Sequence, residues 1–441
     1  MIRKLRESKI NLVVAVSLGL LLVYLAPVLI NGANGQPIFI LLPSSDTAPT
    51  ALLPVSILRD GDFFLDEYAP FFRDNWSAGA PFLRATQGHL ASIYPVVAAI
   101  LAVPVYAVPV WAGWGAQPGA AFTLARIAAA MLTAGALGLF LLICLERLPA
   151  RQAVGVTLAF GLGTSAWTTA SQGLWQHTAS LPLLFGALWL LITGERDARR
   201  IPWAGLLLSA ATAARYNNAT TWVLLGGYVC LRYRRQFPAF VALGALPLLA
   251  WLAYNQLIFG SPFELSYGAA GNGWTADMAL GFAGLLISPA KGLLIFSPFL
   301  ALALIGAVRA LRQPRSLEFF AFGAFAIFTL VMSRWWSWYG GWSYGNRMLT
   351  DALPLLGVLL LPMCERLSRG GWWLFGAASV FAVGAHALGV FDYGVNWHHT
   401  FDTGDNWGTW LWNIKASPIL FYAYHYAHRV LATLSLFGYP R

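Results

Sequence analysis

Ile10-Asn11-Leu12-Val13-Val14-Ala15-Val16-Ser17-Leu18-Gly19-Leu20-Leu21-Leu22-Val23-Tyr24-Leu25-Ala26-Pro27-Val28-Leu29-Ile30 runs without a single charge. A hydrocarbon layer of roughly 30 Å is crossed by about 20 apolar residues in a helix, so this stretch suffices for one span. Arg3, Lys4, Arg6 and Lys9 stand just before it. Basic residues collect on the cytoplasmic side of spans, which places the N-terminus inside. The stretch is too long for the apolar part of a signal peptide, and no small-residue cleavage site follows, so it reads as a retained helix.

Comparable apolar windows recur along the chain, at 92–112, 119–145, 152–170, 176–194, 201–214, 217–231, 238–256, 283–308, 317–333, 349–363, 371–390 and 417–437. Two of them, 201–214 and 217–231, are short, and 283–308 contains Lys291. Of 441 residues 58% are hydrophobic and 10% charged, against about one quarter charged in a soluble domain. Leu-, Ala- and Gly-rich windows form helices rather than the alternating strands of a barrel. The expectation is an all-α, polytopic transmembrane bundle of about 12–13 membrane segments, one domain over 1–441.

The net charge of +10 is a topology signal and does not point to nucleic acid. Basic clusters at Arg147/Arg151, Arg196/Arg199/Arg200, Arg232/Arg234/Arg235, Arg309/Arg312/Arg315 and Arg366/Arg369 each lie between apolar windows. With these, the N-terminal cluster, Arg429 and Arg441 inside, 19 of the 28 basic residues but only 6 of the 18 acidic ones face the cytoplasm. The long loops are then external: 31–91, 257–282, 334–348 and 391–416. Thirteen crossings would invert every basic loop after the third window, so one window must fail to cross. The candidate is 92–112, with Pro95, Pro104 and Pro109, because each proline removes a helix hydrogen bond.

External residues carry the candidate chemistry. The first loop holds Asp46, Gly61-Asp62-Phe63 and Asp66-Glu67, and re-enters the membrane through Gly88-His89 and Tyr94-Pro95. A carboxylate there can take a proton from an acceptor hydroxyl, or simply be a solvated loop acid. Three cations fall at outer helix ends: Arg215, Lys291 in Ser288-Pro289-Ala290-Lys291-Gly292, and Arg347 in Gly345-Asn346-Arg347. A cation at a helix N-terminus suits a phosphate, while snorkelling to the interface is the bland reading. His89 and His177 sit at outer helix starts, to bond sugar or phosphate or merely to lie at the interface. Trp335, Trp336, Trp338, Tyr339, Trp342 and Tyr344 crowd one loop. Most belong to an interfacial aromatic belt; one or two, such as Trp338 and Tyr344, are candidates to line a sugar pocket.

An acid after the first helix, an amphipathic stretch ending in Gly-Asp-aromatic, and a Tyr-Pro entry to the next helix together resemble the GT-C glycosyltransferases. The nearest in pattern are the lipid-A aminoarabinose transferases and protein O-mannosyltransferases. In that pattern an Asp-Glu pair precedes Gly-Asp-Trp by about fifteen residues; Asp46 and Gly61-Asp62-Phe63 match the spacing, and Thr47 stands where the family has Glu. The resemblance implies GT-C architecture with a long first external loop, and a polyprenyl-phosphate sugar as donor. Asp46 would be the catalytic base, with Asp66 and Glu67 the second choice. Lys291 and Arg347, joined by Arg215, would hold the donor phosphate, and His89, Tyr94, His177, Trp338 and Tyr344 would contact substrate. The expected partners are that donor, an unidentified glycan, lipid or protein acceptor, and the bilayer of a bacterial inner membrane, with the site on its outer face.

No cofactor is expected. His398, His399, Asp402 and Asp405 share a loop, and His425 and His428 share a helix, without recognised ligand spacing, so no metal is assigned. Cys144, Cys230 and Cys364 show neither metal nor disulfide spacing. No GxxxxGK[ST] loop occurs, which argues against an ATP-driven pump. Asn75-Trp76-Ser77 and Asn218-Ala219-Thr220 fit a glycosylation pattern too short to be diagnostic. The rival readings are a transporter or flippase of a lipid-linked sugar and a non-catalytic scaffold. Polar residues concentrated in external loops rather than at the midplane favour the enzyme.

Overall fold

The computed structural model describes residues 2–33, 45–76, 79–114, 117–264, 273–394, 396–402 and 408–436. Ser77, Asp405 and Arg441 lie outside these residues. Of the described residues 75% are helix and 2% strand. Among the described residues, six helical stretches are long and apolar enough to cross a membrane: Glu7–Ile30, Pro118–Cys144, Gln176–Thr193, Phe237–Phe259, Leu317–Arg334 and Arg369–Phe391.

Every apolar window contains helix, but several are shorter than the hydrophobic pattern suggests. The window 283–308 breaks into Met278–Ile287, Leu293–Phe296 and Ala301–Ala310. The breaks fall at Ser288-Pro289 and Ser297-Pro298, since a proline has no N–H to give and pushes the preceding residue out of helix. Window 92–112 yields only Val97–Trp111, fifteen residues. Ile201–Ala214 and Ala219–Arg232 meet at a bend where Arg215 is extended (φ −156°, ψ 115°). Asn218 fills that bend, its amide donating to Ser180 Oγ (3.0 Å) and to the Ala211 carbonyl (3.1 Å), which also accepts from the Arg215 amide.

Helices approach closely where glycine removes the side chain. A Cβ on Gly205 would stand 2.2 Å from the Phe240 carbonyl oxygen, and one on Gly306 2.0 Å from that of Leu359. Small residues let apolar helices bring their backbones together, which is how such helices gain contact without a hydrophobic driving force.

A second, smaller core forms where the first external loop was expected. Ala48–Arg59 is a helix whose residues Ala48 through Ser56 are all buried, packed against Val97–Trp111 and the start of Pro118–Cys144. The Tyr106 hydroxyl reaches the carbonyls of Ala51 (2.9 Å) and Ala121 (2.8 Å), tying the three together. Beside it, Leu83–Thr86 and His89–Ser92 form an antiparallel hairpin, with Thr86 opposite His89. The turn residues Gln87 (φ 52°) and Gly88 (φ 85°) are both left-handed, the geometry that matches strand twist in a two-residue hairpin. Gln87 Nε2 and Thr86 Oγ1 donate to the carbonyls of Leu257 and Ile258 (each 2.8 Å), capping the end of Phe237–Phe259.

The ion pairs sort by end. Arg147 bonds both Glu318 (2.7 Å) and Glu365 (2.5 Å), and Arg196 bonds Glu146; all five residues were assigned inside. Arg84–Glu264, Arg215–Asp351 and Arg347–Asp46 join residues assigned outside. Arg429 is the exception among the described pairs, because it bonds Asp392. An ion pair cannot straddle a bilayer, so Arg429 belongs at the end that carries Asp392, not with the inner basic residues.

Candidate functional site

The polar centre of the molecule is a short, wholly buried stretch, Ser171-Gln172-Gly173-Leu174-Trp175-Gln176-His177, which follows Ala170 and runs into the first turn of the helix Gln176–Thr193. Three arginines from three other parts of the chain meet it. Arg126 of the Pro118–Cys144 helix donates to Gln172 Oε1 (2.5 Å). The Arg347 guanidinium lies over the Trp175 ring, 4.4 Å from its centre. Arg215 lies 2.9 Å from His177 Nδ1 and bonds Asp351.

Asp351 organises the deepest part. Its side chain is wholly buried, and Oδ2 faces both Arg215 Nη1 and His177 Nδ1, the latter at 3.1 Å. Oδ1 is buried without a hydrogen-bond partner. A buried charge is tolerated only when paired, so Asp351 and Arg215 depend on each other.

Asp46 stands at the rim. It occupies the 3-10 turn Ser45–Thr47 that opens the Ala48–Arg59 helix, where the helix dipole favours negative charge. Its Oδ2 lies 3.3 Å from Arg347 Nη1. This pair joins the first external loop to the 334–348 loop across the sequence. Arg347 is also within Coulombic range of His177 and of Lys291.

Lys291 is 1% exposed. The helix after it, Leu293–Phe296, has four residues, too short to supply the expected helix-terminal anion site. Its ammonium instead donates to the carbonyls of Gly341 (3.2 Å) and Ser343, and faces the Trp397 ring. Lys291 therefore fixes the turn that leads to Arg347.

The structure separates Asp66 and Glu67 from Asp46. Glu67 accepts from Ser56 Oγ (2.5 Å) near the far end of the Ala48–Arg59 helix, about 14 Å of helix rise from Thr47. Burial raises the Glu67 carboxyl above its ordinary range, outweighing the Ser56 bond that lowers it. Asp66 meets His89: Oδ2 lies 2.6 Å from Nδ1, while Oδ1 accepts from the Leu90 amide (2.7 Å). That pair ties the hairpin to the Asp66–Tyr68 turn. Tyr94 is half-buried against the smaller core.

Trp338 and Tyr344 are interior residues. A Cβ on Gly284 would lie 2.2 Å from the Trp338 ring, and one on Gly389 2.2 Å from the Tyr344 ring, so each ring covers a glycine. The Tyr344 hydroxyl donates to the Ala385 carbonyl (2.7 Å). Trp342, from the same loop, is 44% exposed.

Sequence reasoning passed over Arg126, Gln172, Trp175 and Asp351. Arg126 and Asp351 each sat inside an apolar window, and a lone ionisable residue there is itself a signal. Gln172 and Trp175 carried none, because their role comes from what folds onto them. Among the described residues, no three His, Cys, Asp or Glu side chains are grouped to hold a metal ion. Comparison with known proteins returns no matching family model, no matching curated protein and no matching solved structure.

Proposed function

We propose that this chain is a multi-pass membrane glycosyltransferase of GT-C type, taking a sugar from a polyprenyl-phosphate donor at the outer face of a bacterial inner membrane. One observation carries the reading: Arg126, Arg215 and Arg347 converge on the 171–177 connection, with Asp46 paired to the outermost of them. Three guanidinium groups and two carboxylates, Asp46 and Asp351, meet there, an excess of one positive charge among these five residues. A phosphate group supplies that negative charge, and guanidinium groups bind it through paired N–H donors.

In this reading donor phosphate replaces Asp46 as the partner of Arg347, which frees the carboxylate beside the sugar. The acceptor oxygen forms a bond to the anomeric carbon on the face opposite the phosphate. The anomeric C–O bond breaks, and its electron pair leaves on polyprenyl phosphate, held by Arg347 and Arg215. The acceptor proton passes to Asp46, and the anomeric centre inverts.

The test uses full-length protein in liposomes with a polyprenyl-phosphate sugar. Asp46→Asn should lower transfer by roughly 10²–10⁴-fold with the fold intact. Undiminished turnover rejects Asp46 as the base. Movement of labelled donor across the liposome without acceptor supports the transporter instead.

A further inference from the structure

The loop 334–348 exposes Trp336 and Trp342, and holds the second in a fixed pose. Two left-handed glycines, Gly340 (φ 80°) and Gly341 (φ 58°), turn the backbone just before Trp342. The Lys291 ammonium holds the carbonyls of Gly341 and Ser343, the residues on either side of Trp342. The indole is fixed as firmly as its backbone. One face stacks on the buried His398 ring, at 5.5 Å and 13°. His399 meets it edge-on at 4.8 Å. The indole N–H donates to Asp402 Oδ2 (3.1 Å). Burial, with Lys291 nearby, pushes His398 down to about 2, so a neutral imidazole backs the ring.

A belt tryptophan needs none of this. Its ring floats at the headgroup level with its N–H toward water. Here a carboxylate borders the exposed ring, and a carboxylate is costly in hydrocarbon. The ring therefore faces the aqueous side, although its exposed face is apolar. An apolar plane edged by a carboxylate and an imidazole matches one ligand class in particular. A pyranose has a C–H face and a rim of hydroxyls; the C–H face lies on the indole, and the hydroxyls donate to carboxylate, which has about four lone-pair sites.

We propose that Trp342, edged by Asp402 and His399, is a stacking platform for a pyranose ring. Trp336 is also exposed, at 38%, but no carboxylate among the described residues contacts it, and it serves as the control. The ligand class rests on the transferase reading, yet binding is measured without turnover.

The probes are methyl α-D-mannopyranoside and methyl β-D-glucopyranoside, added to the full chain in nanodiscs free of sugar detergents. Saturation-transfer NMR should show transfer to the ring C–H protons. Trp342→Ala should weaken it about tenfold, the scale of losing one aromatic contact, while Trp342→Tyr and Trp336→Ala keep it. Asp402→Ala should also weaken it, which covers the case in which Trp342→Ala does not fold. Transfer to neither pyranoside, or equal transfer in folded Trp342→Ala and Asp402→Ala proteins, overturns the platform. If Asp46→Asn abolishes sugar transfer while those two variants bind as wild type, the platform fails alone. If wild type binds pyranoside at Trp342 but transfers no sugar, the transferase reading fails alone.

Discussion

Replacing Asp351 by Asn removes one charge and almost no volume from a buried polar cluster. Asp351 is 0% exposed, and its partners Arg215 and His177 are 13% and 4% exposed, so water cannot take its place. Removing one member of such a buried pair costs about 3–5 kcal/mol, because the other charge is left uncompensated. Asn can still accept one hydrogen bond through its carbonyl, which places the expected loss near the lower end, at about 3 kcal/mol. Replacing both members by apolar groups, Asp351→Leu with Arg215→Met, removes the stranded guanidinium together with its partner. That double variant should recover most of the loss. The assay is SDS-driven unfolding from a mild detergent, followed by tryptophan fluorescence, with the two single variants completing the cycle. An Asp351→Asn protein within about 0.5 kcal/mol of wild type, the range of an ordinary surface change, would refute this account of the cluster. So would a double variant as unstable as the single one.

Gly281→Ala should destabilise by about 1–3 kcal/mol in the same assay, as overpacking does, because the added Cβ would lie 2.1 Å from the Ser333 carbonyl oxygen. Arg147→Ala strands Glu318 and Glu365 and should cost roughly 1–3 kcal/mol, the range for hydrogen bonds to charged groups; an unchanged unfolding midpoint would count against the pairing. Glu67, raised by burial, contributes stability that is full below the ordinary carboxylate pKa and is lost as pH rises through its raised folded value. The Glu67→Gln variant should therefore lose less stability than wild type between mildly acidic and neutral pH, and parallel melting curves would contradict this.

Much of the architecture was legible because hydrophobic length and charge placement are local properties. The runs at 10–30, 119–145, 176–194, 238–256, 317–333 and 371–390 all appear as helices long enough to span a membrane. Their lengths required no knowledge of neighbours. Among the described ion pairs, Arg429 alone joins residues assigned to opposite ends, because its helix carries it to Asp392. Other features were locally encoded but went unread. The hairpin 83–92 follows from Gln87-Gly88, whose backbone suits a tight turn, and the interruptions of 283–308 follow from Pro289 and Pro298.

The candidate site divides along the same line. The sequence by itself determined the apolar helical character, the clustering of basic residues between apolar windows, and the presence of acids and cations in loops and at helix ends, since each depends on residue type and spacing alone. Only the tertiary structure decided which of them meet. It paired Asp46 with Arg347 across the chain, set Asp66 and Glu67 at the other end of the Ala48–Arg59 helix, and turned Lys291 toward carbonyl oxygens. It buried Trp338 and Tyr344 over glycines and left Trp342 facing out. The reason is physical: a side chain's partner is fixed by the packing of distant helices, and six aromatics in one loop offer the same composition whichever one points outward.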